Sequence, residues 1–153
     1  MSIEPAGPDE LARLAQLIGA WGDDQLRDNP SLLGIEPATD APRWYVRLQG
    51  EEKGVFTVWL TLRQRTLHVE TYFMPAPEER EAELYEYLLR LNERLYGLSF
   101  AIGLEDAVYL VGHVPVSELD TAQLDQVIGA AYAYTEQYFR PAMRIGYASK
   151  FKG

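Results

Sequence analysis

PAPEEREAELYEYLLRLNERLYGLSFAIGLEDAVYLVGHVPV, residues 75–116, decides the fold. Pro75 and Pro77 close an extended segment. Leu84, Leu88, Leu91 and Leu95 then recur at helical spacing and form one apolar stripe, which Tyr85, Tyr87 and Tyr96 widen. Glu78, Glu79, Glu81 and Glu83 crowd the first turns, where the helix dipole favours negative charge, and Arg90 and Arg94 sit late, where it favours positive charge. Gly97 is the expected stop. LSFAIG and VYLVGHV alternate as two short strands around the turn LEDA, and Pro115 ends the second.

The rest of the chain can be laid against this helix–strand–strand unit. Pro8 followed by Asp9 and Glu10 starts a helix over 8 to about 22, with Leu11, Leu14, Leu17, Ile18 and Trp21 on one face. Residues 22–42 hold three prolines and several acids and read as a loop, with a short turn at Leu32–Leu33. Residues 43–74 read as a three-stranded meander. Trp44, Val46, Leu48, Phe56, Val58, Leu60, Leu62, Leu67, Val69, Thr71 and Phe73 point inward by alternation. Ser117 with Asp120 resembles a capping box for a last helix, which Pro141 breaks or kinks. Residues 141–153 form a tail apolar enough to pack. The expectation is a single domain over 1–153, with five strands in one antiparallel sheet and helices on one of its faces.

The outer face of that meander is unusual in content. It carries Arg43, Tyr45, Arg47, Thr57, Trp59, Thr61, His68, Glu70 and Tyr72. Pairing inward residues with inward residues sets Tyr45 beside Trp59 and Trp59 beside Glu70, with Arg47, Thr57 and Tyr72 as the next row. Aromatic residues edged by charge have the make-up of interface cores. Tyr45, Arg47, Trp59, His68, Glu70 and Tyr72 are therefore the candidate partner-binding face.

Composition narrows the function. The chain has 153 residues, 47% of them hydrophobic, enough for a core without metal or disulfide. There is no cysteine. A net charge of −9 makes nucleic acid and anionic membranes poor partners. No apolar run approaches the ~20 residues that span a bilayer. MSIEPAGPDE lacks a signal-peptide core, so a cytoplasmic location is expected.

Reaction chemistry is not legible. There is no GxSxG, phosphate loop, HExxH or paired cysteine, and Gly97, Gly103 and Gly112 make no dinucleotide fingerprint. His68-x-Glu70 puts two metal-ligating or proton-relaying side chains on one strand face, but a third ligand must come from elsewhere. His113 reads as a strand-end residue, and Glu105-Asp106 as turn residues. No catalytic residue, cofactor or metal is assigned.

From Tyr72 to Phe151 the chain resembles the actinobacterial branch of the YbjN-domain proteins, also described as sensory transduction regulators. The resemblance is carried by YEYLLRLN (Tyr85 to Asn92), GLSFAIGLEDAVYL (Gly97 to Leu110) and the tyrosine-rich end of the last helix. That family is similar in fold to type III secretion chaperones: helix, three strands, helix, two strands, helix. The resemblance implies an α+β, non-enzymatic, homodimeric protein-binding module, chaperone-like or regulatory. A small-molecule sensor is the alternative, with an enzyme behind it.

Overall fold

A computed structural model describes residues 4–152. The element order is α1 (Pro8–Asp28), β1 (Leu32–Pro37), β2 (Arg43–Gln49), β3 (Val55–Leu62), β4 (Thr66–Met74), α2 (Glu81–Asn92), β5 (Ser99–Ile102), β6 (Val108–Pro115) and α3 (Thr121–Gly146). Among the described residues, six strands form one antiparallel sheet in the order β1-β2-β3-β4-β6-β5. The meander has the expected inward set. Val46, Leu48, Val58, Leu60, Leu67, Val69, Thr71 and Phe73 are all buried. Against them pack Leu14, Ile18 and Trp21 of α1, Leu84, Leu88 and Leu91 of α2, and Leu124, Ile128 and Ala131 of α3.

The first correction concerns residues 22–42, which are not a loop. Gly22 lies inside the helix, as a contact. A Cβ there would come within 2.8 Å of Ile35 in β1, so the missing side chain lets helix and edge strand approach. The helix therefore continues to Asp28. It ends before Asn29, whose side-chain oxygen accepts the Ser31 N–H at 3.0 Å and turns the chain into β1. The sheet thus has six strands rather than five.

Helix α2 stops at Asn92, earlier than Gly97 suggested. The Asn92 amide leaves the helix pattern to pair with β5. The Phe100 N–H donates to its oxygen at 2.7 Å, and its nitrogen donates to the Phe100 carbonyl at 3.1 Å. Beyond that point Leu95 is partly buried, but Tyr96 is exposed and does not extend the stripe. Gly97 keeps a left-handed φ of 80° in the link to β5. Its carbonyl lies 2.2 Å from where a Cβ of Gly112 would stand, so β6 needs a glycine there.

The last helix begins at Thr121. Asp120, expected as the partner in a capping box, is itself the cap and accepts the Gln123 N–H at 2.8 Å. Ser117 lies in a single 3-10 turn over Val116–Glu118. Pro141 neither breaks the helix nor starts a tail, because α3 runs through it to Gly146. The carbonyl of Gly146 accepts the backbone N–H groups of Glu78 and Glu79, both at 3.0 Å, which ties the end of α3 to the approach to α2. Phe151 then packs edge-on against Phe139.

Candidate functional site

Among the described residues the α-helices α1, α2 and α3 pack on the inner face, and none of them covers the outer face. Antiparallel register builds it in rows. Tyr45 stands opposite Trp59, Trp59 opposite Glu70, Glu70 opposite Val111, and Val111 opposite Ser99. Tyr45 meets Trp59 edge-on at 5.5 Å, and the Arg43 guanidinium lies 5.4 Å from the Trp59 ring. In the next row Arg47 stands opposite Thr57 as expected. The β3–β4 ladder ends at Val58 and Thr71, and Tyr72 instead stands opposite Tyr109, their rings edge-on at 5.6 Å.

A groove of about 750 Å³ crosses this face between the β2–β3 hairpin and the β5–β6 turn. Trp59, Tyr72, Tyr109 and Val111 line it, and Ile102 and Leu104 form its far rim. Trp59 is 40% exposed, Tyr72 44% and Leu104 80%, so the apolar surface is open to a partner. Glu70 and Lys53 are the charged side chains among the lining residues.

Lys53 is placed by the hairpin before β3. The carboxylate of Glu136 on α3 accepts the backbone N–H groups of Glu51, Glu52 and Lys53, which pins that turn. The Lys53 ammonium donates to the Tyr72 carbonyl and lies 5.3–5.7 Å from the rings of Phe56, Tyr72 and Phe139. Ring faces and a carbonyl favour the cation. Burial works the other way and pushes its pKa down to about 8.

The candidate residues divide. Trp59, Glu70 and Tyr72 line the groove, and Tyr45 buttresses Trp59. Arg47 lies outside it, near Gly34 of β1. His68 also lies outside, in the row of Arg43, Thr61 and His113. His113 is no mere strand-end residue. Its Nε2 is 3.0 Å from Nδ1 of His68, whose other nitrogen is 3.6 Å from Glu70. Burial holds the His113 pKa below the ordinary imidazole value, helped by His68 and Arg63. Glu105 and Asp106 are exposed turn residues with φ of 57°, as read from LEDA. Sequence reasoning missed Lys53, Tyr109, Ile102 and Leu104. Tyr109 carried a usable signal, because its alternation with Leu110 already put it outward.

The family model for YbjN, described as "putative bacterial sensory transduction regulator", matches residues 33–142. The chain belongs to the YbjN family. Uncharacterized protein Rv0487 of Mycobacterium tuberculosis is 28% identical over 116 residues, 76% of this chain and 63% of the relative. An uncharacterized protein of Mycobacterium leprae is 28% identical over 110 residues, 72% of this chain and 60% of the relative. The chain thus spans less than two thirds of the curated relatives it matches. Solved structures carry the same fold at low identity. A chain of the ExsC–ExsE complex aligns with a TM-score of 0.57 at 16% identity, covering 85% of this chain and 93% of that one. The ExoU–SpcU complex from the type III secretion system of Pseudomonas aeruginosa gives 0.58 at 14%, covering 82% and 96%. The Yersinia pestis type III secretion chaperone SycH, in complex with a fragment of YscM2, gives 0.53 at 16%, covering 80% and 96%. This YbjN chain therefore has a type III secretion chaperone-like fold. Among its described residues no helix is long and apolar enough to cross a membrane.

Proposed function

We propose that this YbjN chain is a non-enzymatic protein-binding module, chaperone-like or regulatory, that takes a segment of a partner polypeptide on the outer face of its sheet. The observation that carries the reading is the groove: an uncovered aromatic and aliphatic surface on a face that no helix of the chain occupies. Similarity to chains solved in protein complexes supports it. Trp59 and Tyr72 serve as aromatic anchors, Tyr45 holds Trp59 in place, and Glu70 and Lys53 supply polar contacts. Arg47 and His68 contribute at the margins. The module works in the cytoplasm as a homodimer.

The test is capture from native cytosol on immobilised protein, beside a Trp59→Ala/Tyr72→Ala variant. One dominant polypeptide should bind the native face and be lost with the variant. Its retention would assign the face a structural role. Light scattering at micromolar concentration should give the mass of two chains, and a single-chain mass removes the dimer.

The groove also favours a second reading, a small-molecule sensor, since its volume falls in the range of ligand sites. A ligand-dependent rise in melting temperature that disappears in the same variant would move the function there.

A further inference from the structure

The chain has two histidines and no cysteine, so its whole supply of imidazole and thiolate metal ligands is His68 and His113. The fold brings them together from residues 45 apart in sequence. They are cross-strand partners on β4 and β6, with ring centroids 4.7 Å apart and planes tilted by 57°. Nδ1 of His68 and Nε2 of His113 face each other at 3.0 Å. In a metal-free pair one shared proton occupies that gap. A metal ion replaces the proton when both rings turn their lone pairs toward it.

The spacing suits such an exchange. Two imidazole nitrogens at about 2.0–2.1 Å from one ion stand about 3.3 Å apart across a tetrahedral angle and about 2.9 Å apart across a right angle. The observed 3.0 Å lies inside that span. The second observation is on the far side of His68. Its Nε2 lies 3.6 Å from Oε2 of Glu70. That is too long for a hydrogen bond, but the carboxylate's charge beside the outer nitrogen favours a proton there, which leaves the inner lone pair free. Arg63 acts on His113 with positive charge, and Glu70 supplies the opposing charge beside the pair.

We propose that His68 Nδ1 and His113 Nε2 together chelate a borderline transition cation of the Zn(II), Ni(II) or Cu(II) class, with Glu70 as the positioning carboxylate. Hard cations such as Mg(II) and Ca(II) are excluded by the all-nitrogen donor set. Among the described residues no group of three or more histidines and carboxylates is arranged to hold a metal. The pair is therefore an open two-ligand site whose remaining positions belong to water or to an incoming ligand. Glu70 also lines the groove, so occupancy of the site bears on one groove wall.

Tag-free protein should be titrated with nickel and zinc salts by calorimetry. One ion per chain is expected at micromolar affinity, with none for magnesium. His68→Ala and His113→Ala should each weaken binding at least about tenfold, and Glu70→Gln by a smaller factor with unchanged stoichiometry. Cu(II) loaded on the native chain should show two nitrogen donors in its electron paramagnetic resonance spectrum, a readout that needs no variant. No saturable binding, binding unchanged in His113→Ala, or a spectrum with fewer than two nitrogens overturns the proposal.

Discussion

Trp59 and Leu60 are consecutive residues of one strand, and their surroundings could hardly differ more. Leu60 is fully buried under the helices, while Trp59 is 40% exposed and meets Tyr45 and Arg43 of the neighbouring strand. The inner face is filled by the chain itself. The outer face is built with equal regularity, row by row, yet among the described residues no α-helix covers it. A protein that needed its sheet only for stability would gain little by keeping tryptophan and tyrosine on the wet side. The contrast separates the residues that hold the fold from those that the proposed binding role needs.

Truncation should break the two faces very differently. Leu60→Ala should lose about 2–5 kcal/mol in urea unfolding, because the removed methyls leave a cavity in a packed interior. A loss under about 1 kcal/mol would mean that the two faces are not distinct. Next comes the hairpin where they meet. Burial lowers the Lys53 pKa to about 8, from an ordinary value near 10.5, so between those values the unfolded chain binds more protons than the folded one. Stability should then rise with pH from about 8 toward 10, by up to about 3 kcal/mol, and stay flat in Lys53→Met. Urea midpoints at intervals across that window measure it. Above the window the phenols of Tyr72 and Tyr147, whose pKa values partial desolvation raises, reverse the trend. Asn92→Ala strips both partners from Phe100 and should cost about 1–3 kcal/mol, read as a lower melting temperature. Trp59→Ala should change stability least, by under about 1 kcal/mol, while abolishing capture of a partner. A large loss in its urea midpoint would return Trp59 to a structural role.

How much of this was legible depends on whether the code was local. The meander was readable because its alternation is unbroken from Trp44 to Phe73, and the Tyr45–Trp59–Glu70 row followed from register alone. Strand β1 was not, because a bulge between Leu32 and Gly34 breaks the period of two, and prolines and acids around it imitate a loop. The helix past Gly22 was hidden too, because nothing local tells a glycine that ends a helix from one that admits Ile35. Half of the groove was hidden for a different reason. Its far wall comes from β5 and β6, and only the non-sequential placement of β6 beside β4 sets Tyr109 against Tyr72 and His113 against His68. Residue types announced an aromatic outer face. Topology decided its extent.

The amide of Asn92 has a further consequence, for growth. At Phe100 it takes up both backbone groups that an added strand would use there, so a strand arriving at β5 meets a residue whose hydrogen bonds are already made. Pairing at that residue would have to break two bonds to the end of α2 before forming its own. One asparagine at the end of a helix thus makes β5 a poor template for edge-to-edge growth.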